Sequence, residues 1–207
     1  VGDFSAEGEP GRFRVLERGR AAGKVAWELG GVHNQLNALA AIAAAQHAGV
    51  EPASGATSLA LFRSVKRRME VHGTESGVTV YDDFAHHPTA IRTTLDGLRR
   101  TLARGRILAV FEPRSNTMKL GSMKAQLPWS LEPADLAFCH GGGLGWDPRD
   151  ALAGMGARAS VADDLDALIV QVSRAARPGD HIVCMSNGGF GGIHARLLDA
   201  LRGRRLE

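Results

Sequence analysis

Aromatic residues, cysteine and long apolar runs are all scarce in this chain. Its 207 residues hold seven Phe, three Trp and one Tyr, against 26 Gly. A core must therefore be built from aliphatic side chains, as in α/β proteins rich in Val, Leu and Ala. The two cysteines, Cys139 and Cys184, sit inside apolar runs without CxxC or Cys/His ligand spacing. That argues against a disulfide framework or a zinc site and for buried thiols in a reducing compartment. No apolar run approaches the ~18 residues needed to span a bilayer, and no signal peptide is visible. Net charge is only +3. Arginines gather at 63–68, 99–106 and 202–205, but no aromatics interleave with the last group. It reads as a solvated helix end rather than a nucleic-acid patch.

Two nucleotide signatures are missing as well. No glycine-rich P-loop ending in Lys-Ser/Thr occurs, and no GxGxxG follows the first strand of the sheet. The second absence weighs against a nicotinamide-binding redox protein. The chain begins abruptly, without an initiator Met, in a Gly/Glu-rich stretch. This suggests a piece excised from a longer protein. No internal repeat or low-complexity segment is apparent.

What is present is an alternation of strands and helices. Residues 13–16 and 24–29 read as short strands, followed by a helix from His33 to about His47 and a second over 54–63. Two strands and two helices are too little to fold alone, so residues 1–62 read as the end of a larger domain. From 63 to 207 the expected strands are 68–72, 78–83, 106–112, 136–140, 157–161 and 181–186. Helices are expected at 88–103, 119–131, 148–153, 164–176 and 193–203. Repeated β-α-β units with right-handed crossovers imply a mostly parallel sheet with helices on both faces.

Four residue groups fall at helix starts or strand-to-helix junctions, where α/β proteins bind anions. His33, Asn34 and Asn37 open the first long helix. Asn34 and Asn37 share one face, and their amides suit a base edge or a ribose, although simple capping explains one of them. The run Tyr81-Asp82-Asp83-Phe84-Ala85-His86-His87-Pro88 ends a strand and starts a helix, with Pro88 at the first helical position. Asp82 and Asp83 point to opposite faces of a strand, so they do not share one ion. His86-His87 lacks the i, i+4 spacing of a zinc pair, and a packed loop with a helix cap competes with any ligand role. Glu112-Pro113-Arg114-Ser115-Asn116-Thr117 follows the third of these strands. Arg114 offers a planar fork for a carboxylate or phosphate, while Ser115, Asn116 or Thr117 could each cap a helix. Last, Ser186-Asn187-Gly188-Gly189-Phe190-Gly191-Gly192 is a glycine turn between strand and helix, suited to close backbone approach.

Taken together and in this order, these motifs resemble the Mur ligases, the ATP-dependent amide-forming enzymes of peptidoglycan synthesis. The run Gly30-Gly31-Val32-His33-Asn34-Gln35-Leu36-Asn37 resembles the helix that closes the family's central ATPase domain. Arg67-Arg68 and Asp82-Asp83-Phe84-Ala85-His86-His87-Pro88-Thr89 resemble the start of its Rossmann-like C-terminal domain. The versions at 112–119 and 185–192 are similar to the branch that joins a ready-made tripeptide, rather than L-alanine, to UDP-N-acetylmuramate.

The resemblance implies an acyl-phosphate mechanism using ATP and Mg2+, in the cytoplasm, with UDP-N-acetylmuramate and L-Ala-γ-D-Glu-meso-diaminopimelate as substrates. It implies no nucleic-acid or membrane partner. His33, Asn34, Asn37, Arg68 and Asp83 would serve the nucleotide. His86, His87, Arg114, Ser115, Asn116, Ser186, Asn187, Gly188 and Gly189 would face the peptide. Asp82 would be structural. No residue here is assigned as catalytic or as a metal ligand, and most Mg2+ ligands would lie upstream, so the chain alone is expected to be inactive. An L-alanine ligase, or a non-catalytic nucleotide- or muropeptide-binding module, are the alternatives.

Overall fold

A two-residue turn at Arg18-Gly19, both with positive φ (49° and 79°), shapes the first part of the molecule. Such turns match the twist of the flanking strands and close a tight hairpin. The computed structural model describes residues 3–63 and 65–203, so Arg204 and Arg205 of the last arginine group lie outside the described residues. It divides into two compact units, Val1–Val65 and Lys66–Glu207.

In the first unit, β1 (Phe4–Glu9), β2 (Arg12–Glu17) and β3 (Arg20–Ala26) form an antiparallel meander, followed by α1 (Val32–His47) and α2 (Pro52–Ser58). Its core is Phe13, Val15 and Val25 from the strands against Ala38, Leu39, Ile42 and Ala56 from the helices. Gly23 lets β3 lie directly on α2, since a Cβ there would meet the Ala56 methyl at 2.7 Å. The sequence reading finds two strands where there are three. Strand β1, Phe-Ser-Ala-Glu-Gly-Glu, is largely exposed and poor in β-branched residues, so only its pairing with β2 makes it a strand. The second expected strand starts earlier, at Arg20, because the hairpin turn sets its register.

The second unit contains β4 (Glu70–Glu75), β5 (Val78–Asp83), α3 (Pro88–Thr101), β6 (Ile107–Phe111), α4 (Asn116–Lys119), α5 (Leu127–Leu131), β7 (Leu136–His140), α6 (Pro148–Leu152), β8 (Ala159–Ala162), α7 (Leu165–Ala175), β9 (His181–Met185) and α8 (Ile193–Arg202). The six strands lie in the order β4-β5-β9-β6-β7-β8, parallel except for the antiparallel edge strand β4. The mostly parallel sheet with helices on both faces is therefore the observed architecture.

Alternation along β6 builds both cores. Ile107, Ala109 and Phe111 face α3, α5 and α6, whereas Leu108 and Val110 face α7 and α8. On α3, Ile91, Leu95 and Leu98 are buried at spacings of four and three, one apolar stripe. Complete burial of a leucine such as Leu95 stabilises the fold by ~2 kcal/mol.

The helix expected over 119–131 is instead three short pieces, α4, a 3₁₀ turn at Lys124–Gln126 and α5. Gly121 breaks it with a φ of 73°, and the Trp146 indole packs where a Cβ would stand. Pro128 can only begin a new helix. The remaining elements of this unit match the sequence expectation to within about three residues, the largest difference being β4, expected at 68–72 and found at Glu70–Glu75.

Candidate functional site

Three strand ends are level at the carboxyl edge of the sheet. Met185 of β9 lies beside Asp83 of β5 on one side and Phe111 of β6 on the other. The ladder continues one step further, with Ser186 N donating to Asp83 O (3.1 Å) and Glu112 N to Met185 O (3.3 Å). The segments 84–87, 112–116 and 186–192 therefore start side by side, although the chain separates them widely. In an open α/β sheet the crevice at such strand ends is where ligands bind.

Local chemistry sets each segment. Asp83 is 2% exposed. Its carboxylate accepts from Met69 N (2.9 Å), Ala85 N (2.8 Å) and Thr94 Oγ1 (3.1 Å). Burial raises its pKa above the ordinary carboxylate value, against the pull of those donors and of nearby Arg68. His87 caps α3, its Nδ1 accepting from Thr89 N at 3.4 Å, and Pro88 follows in the first turn. His86 Nδ1 lies 2.9 Å from Phe84 O. A carbonyl only accepts, so His86 carries its proton on Nδ1, and neutral His87 carries it on Nε2. The pair thus presents one acceptor nitrogen and one donor nitrogen.

On the neighbouring segment, Ser115 caps α4 by accepting from Met118 N (3.4 Å), and Asn116 is exposed. The capping role weighed for Ser115 is the one it performs here. Arg114 is half exposed, 3.8 Å from the Glu112 carboxylate. Its guanidinium lies across Gly188, where a Cβ would come within 2.5 Å of it. Glu112 accepts from the Ser186 hydroxyl, and Ser186 Oγ accepts from Gly188 N at 2.8 Å. The Asn187 Oδ1 atom is buried with no hydrogen-bond partner among the described residues.

Two contributors escape sequence reasoning. Arg67 donates through Nε to both oxygens of Asp82 (3.1 and 3.3 Å) and through Nη2 to the carbonyls of Ser186 (2.8 Å) and Gly188 (2.6 Å). Asp82 also lies 3.3 Å from Nε2 of His194 on α8. Burial lowers the His194 pKa below the usual histidine value; Asp82 pulls it up, while His72 and Arg67 push it down. The sequence signal for Arg67 was only its neighbour, Arg68. For Glu112 it was membership of the Arg114 motif. Arg68 itself is exposed beside the Phe84 ring (5.8 Å) and has no carboxylate partner among the described residues.

In the first unit, Asn34 Nδ2 donates to Gly30 O at 2.7 Å, and no side chain caps α1. Gly31 holds the turn before it, with a φ of 87° and the His33 ring packed against it. Asn37 is exposed one helical turn on. Among the described residues, no group of three His, Cys, Asp or Glu side chains could hold a metal ion, and no helix is long and apolar enough to cross a membrane.

Residues 67–188 match the family model described as "Mur ligase, glutamate ligase domain". The chain is 49% identical over 191 residues to the UDP-N-acetylmuramate–L-alanyl-γ-D-glutamyl-meso-2,6-diaminoheptandioate ligase of Escherichia coli. That match takes in 91% of this chain and 42% of the relative, so the chain spans less than half the relative's length. The crystal structure of a murein peptide ligase from Psychrobacter arcticus matches 99% of this chain and 45% of that one, at 39% identity and a TM-score of 0.76. A UDP-N-acetylmuramate–L-alanine ligase of Synechococcus elongatus is 32% identical over 96% of this chain and 45% of its own length.

Proposed function

We propose, on the premise that this chain belongs to the Mur ligase family, that it is the C-terminal part of an ATP-dependent ligase. The ligase joins UDP-N-acetylmuramate to the tripeptide L-Ala-γ-D-Glu-meso-diaminopimelate. The observation that carries the reading is the level ending of β5, β9 and β6, which collects His86, His87, Arg114 and the Ser186–Gly189 loop at one edge. Identity favours the tripeptide branch over the L-alanine branch, 49% against 32%.

Arg114 supplies a guanidinium for a peptide carboxylate, with Glu112 beside it for an ammonium group. His86 Nε2 accepts and His87 Nε2–H donates, so together they orient a peptide amide or amine. Ser115 and Asn116 border this surface. The amine must be held against the carbonyl it attacks, and that positioning is the main contribution of such residues to rate.

Of the residues assigned to ATP, Asn34, Asn37 and Arg68 carry groups that suit a nucleotide. Asn34 spends one amide hydrogen on Gly30 and keeps its oxygen, and exposed Asn37 stands on the same face for a base or ribose. His33 lies beside them. Arg68 is placed to meet an anion or a ribose hydroxyl. Asp83 reaches a ribose only if one of its three present donors gives way. When bound, ATP would supply the phosphoryl group that activates the muramate carboxylate. No residue of this chain is given a role toward Mg2+.

The test is ADP release by the full-length ligase that contains this chain, with UDP-N-acetylmuramate and either the tripeptide or L-alanine. Turnover is expected with the tripeptide. Turnover with L-alanine alone would move the protein to the other branch, and none with either would overturn the ligase reading.

A further inference from the structure

We propose that Arg67 is a positioning residue for the Ser186–Gly189 loop, turning two backbone N–H groups toward a carboxylate of the incoming peptide without touching it. The identity of that peptide rests on the ligase reading above; the geometry of the loop does not.

In a trans peptide unit, C=O and N–H point in opposite directions. The carbonyls of Ser186 and Gly188 both accept from Arg67 Nη2. The N–H groups in those two peptide planes belong to Asn187 and Gly189, so both point away from the guanidinium. Among the described residues neither donates to a protein acceptor. The N–H between them, that of Gly188, is taken by Ser186 Oγ. Outward backbone N–H groups without an acceptor carry partial positive charge that favours an anion. A second unmet group lies in the same loop, the buried Asn187 Oδ1 that lacks a donor among the described residues. A ligand carboxylate can accept from the two N–H groups, and the amino-acid end of a diamino-acid side chain carries one.

Arg67 is itself held from several directions. Its Nε bonds Asp82, whose other neighbour is the buried His194 on α8. The Phe84 ring lies 5.3 Å beneath the guanidinium. The backbone has a φ of 61°, a strained value for arginine. It is pinned there by Arg67 N donating to Glu70 and Phe84 N donating to Arg67 O, both at 2.8 Å. One planar guanidinium reaches a carboxylate and two carbonyls at once, and a lysine ammonium on its flexible stem does not.

The experiment compares Arg67→Lys with wild type in two settings. In ¹⁵N NMR of the 207-residue chain, the Asn187 and Gly189 amide resonances should move, because the carbonyls of both their peptide planes lose the guanidinium. The unfolding midpoint should stay close to wild type. In the full-length ligase the tripeptide KM should rise about tenfold, with the ATP KM and kcat within about twofold. Asp82→Asn, which loosens the grip on Nε, should shift the same two amides less, and it supplies the test if Arg67→Lys does not fold. Unmoved amides, or tripeptide and ATP KM rising together, would overturn the proposal. Turnover of L-alanine alone by the wild type would sink the tripeptide reading, and the amide shifts would still decide the role of Arg67.

Discussion

The carboxylate of Glu112 accepts a hydrogen bond from the hydroxyl of Ser186, joining the end of β6 to the end of β9 across 74 residues of chain. Ser186 passes the connection on to Gly188 N, and Glu112 faces Arg114 on its other side. One half-buried carboxylate thus links the arginine of one segment to the glycine turn of another. Glu112→Gln keeps the shape and removes the charge. It should destabilise the fold by about 1–2 kcal/mol, the difference between a charged and a neutral hydrogen bond. Urea denaturation checks this, and a loss under about 0.3 kcal/mol would show that the link carries little.

Gly188→Ala separates binding from stability. Gly188 does not need a left-handed backbone, and the added methyl meets the tip of the flexible Arg114 side chain. The unfolding free energy should change by less than about 0.5 kcal/mol, while Arg114 is pushed aside. Tripeptide KM should then rise much as it does in Arg114→Ala, with the ATP KM unmoved in both. Equal effects on the two substrates would remove Arg114 from the peptide site.

His194 makes a prediction about pH. It is buried against Asp82, His72 and Arg67, and burial lowers its folded pKa below the unfolded value. A base shifted down contributes stability that is present above the unfolded pKa of ~6.5 and is lost as pH falls through the folded value. Wild type should therefore lose stability between about pH 7 and 5 faster than His194→Gln, which has nothing to protonate. Chemical denaturation at several pH values measures the two slopes. Parallel slopes would mean that His194 charges as easily folded as unfolded.

The two asparagines of α1 should behave differently. Asn34→Ala removes the bond to Gly30 O and should destabilise the first unit by about 1 kcal/mol. Asn37 is exposed on the same face, so Asn37→Ala should leave the thermal midpoint unchanged and raise the ATP KM of the full-length ligase. An unaltered ATP KM in Asn37→Ala would withdraw that residue from the nucleotide site.

Much of this arrangement was legible in the chain because it is local. The cap of α3 by His87 and the cap of α4 by Ser115 each involve residues two or three apart. The apolar stripe of α3 lies within one helix, and so does the placing of Pro88 in its first turn. The period of a strand was enough to send Asp82 and Asp83 to opposite faces; the partners they meet there, Arg67 and His194 for one and Met69, Ala85 and Thr94 for the other, were not legible. Strand β1 and the broken helix at 119–131 were not legible. The first exists only through pairing with β2, and the second is interrupted where Trp146 packs against Gly121 from 25 residues away.

Outside 119–131, the sequence by itself determined which segments of the second unit are strands and helices and where the helix starts stand. Each follows from interactions within a few residues, which periodicity and capping chemistry record directly. Only the tertiary structure decided that β9, the last strand of the chain, inserts between β5 and β6. Parallel strands joined by crossovers carry no local mark of their neighbours, since each presents the same ladder of donors and acceptors. That choice of neighbour set the Ser186–Gly189 loop between Arg67 and Arg114. It turned three separate motifs into one edge.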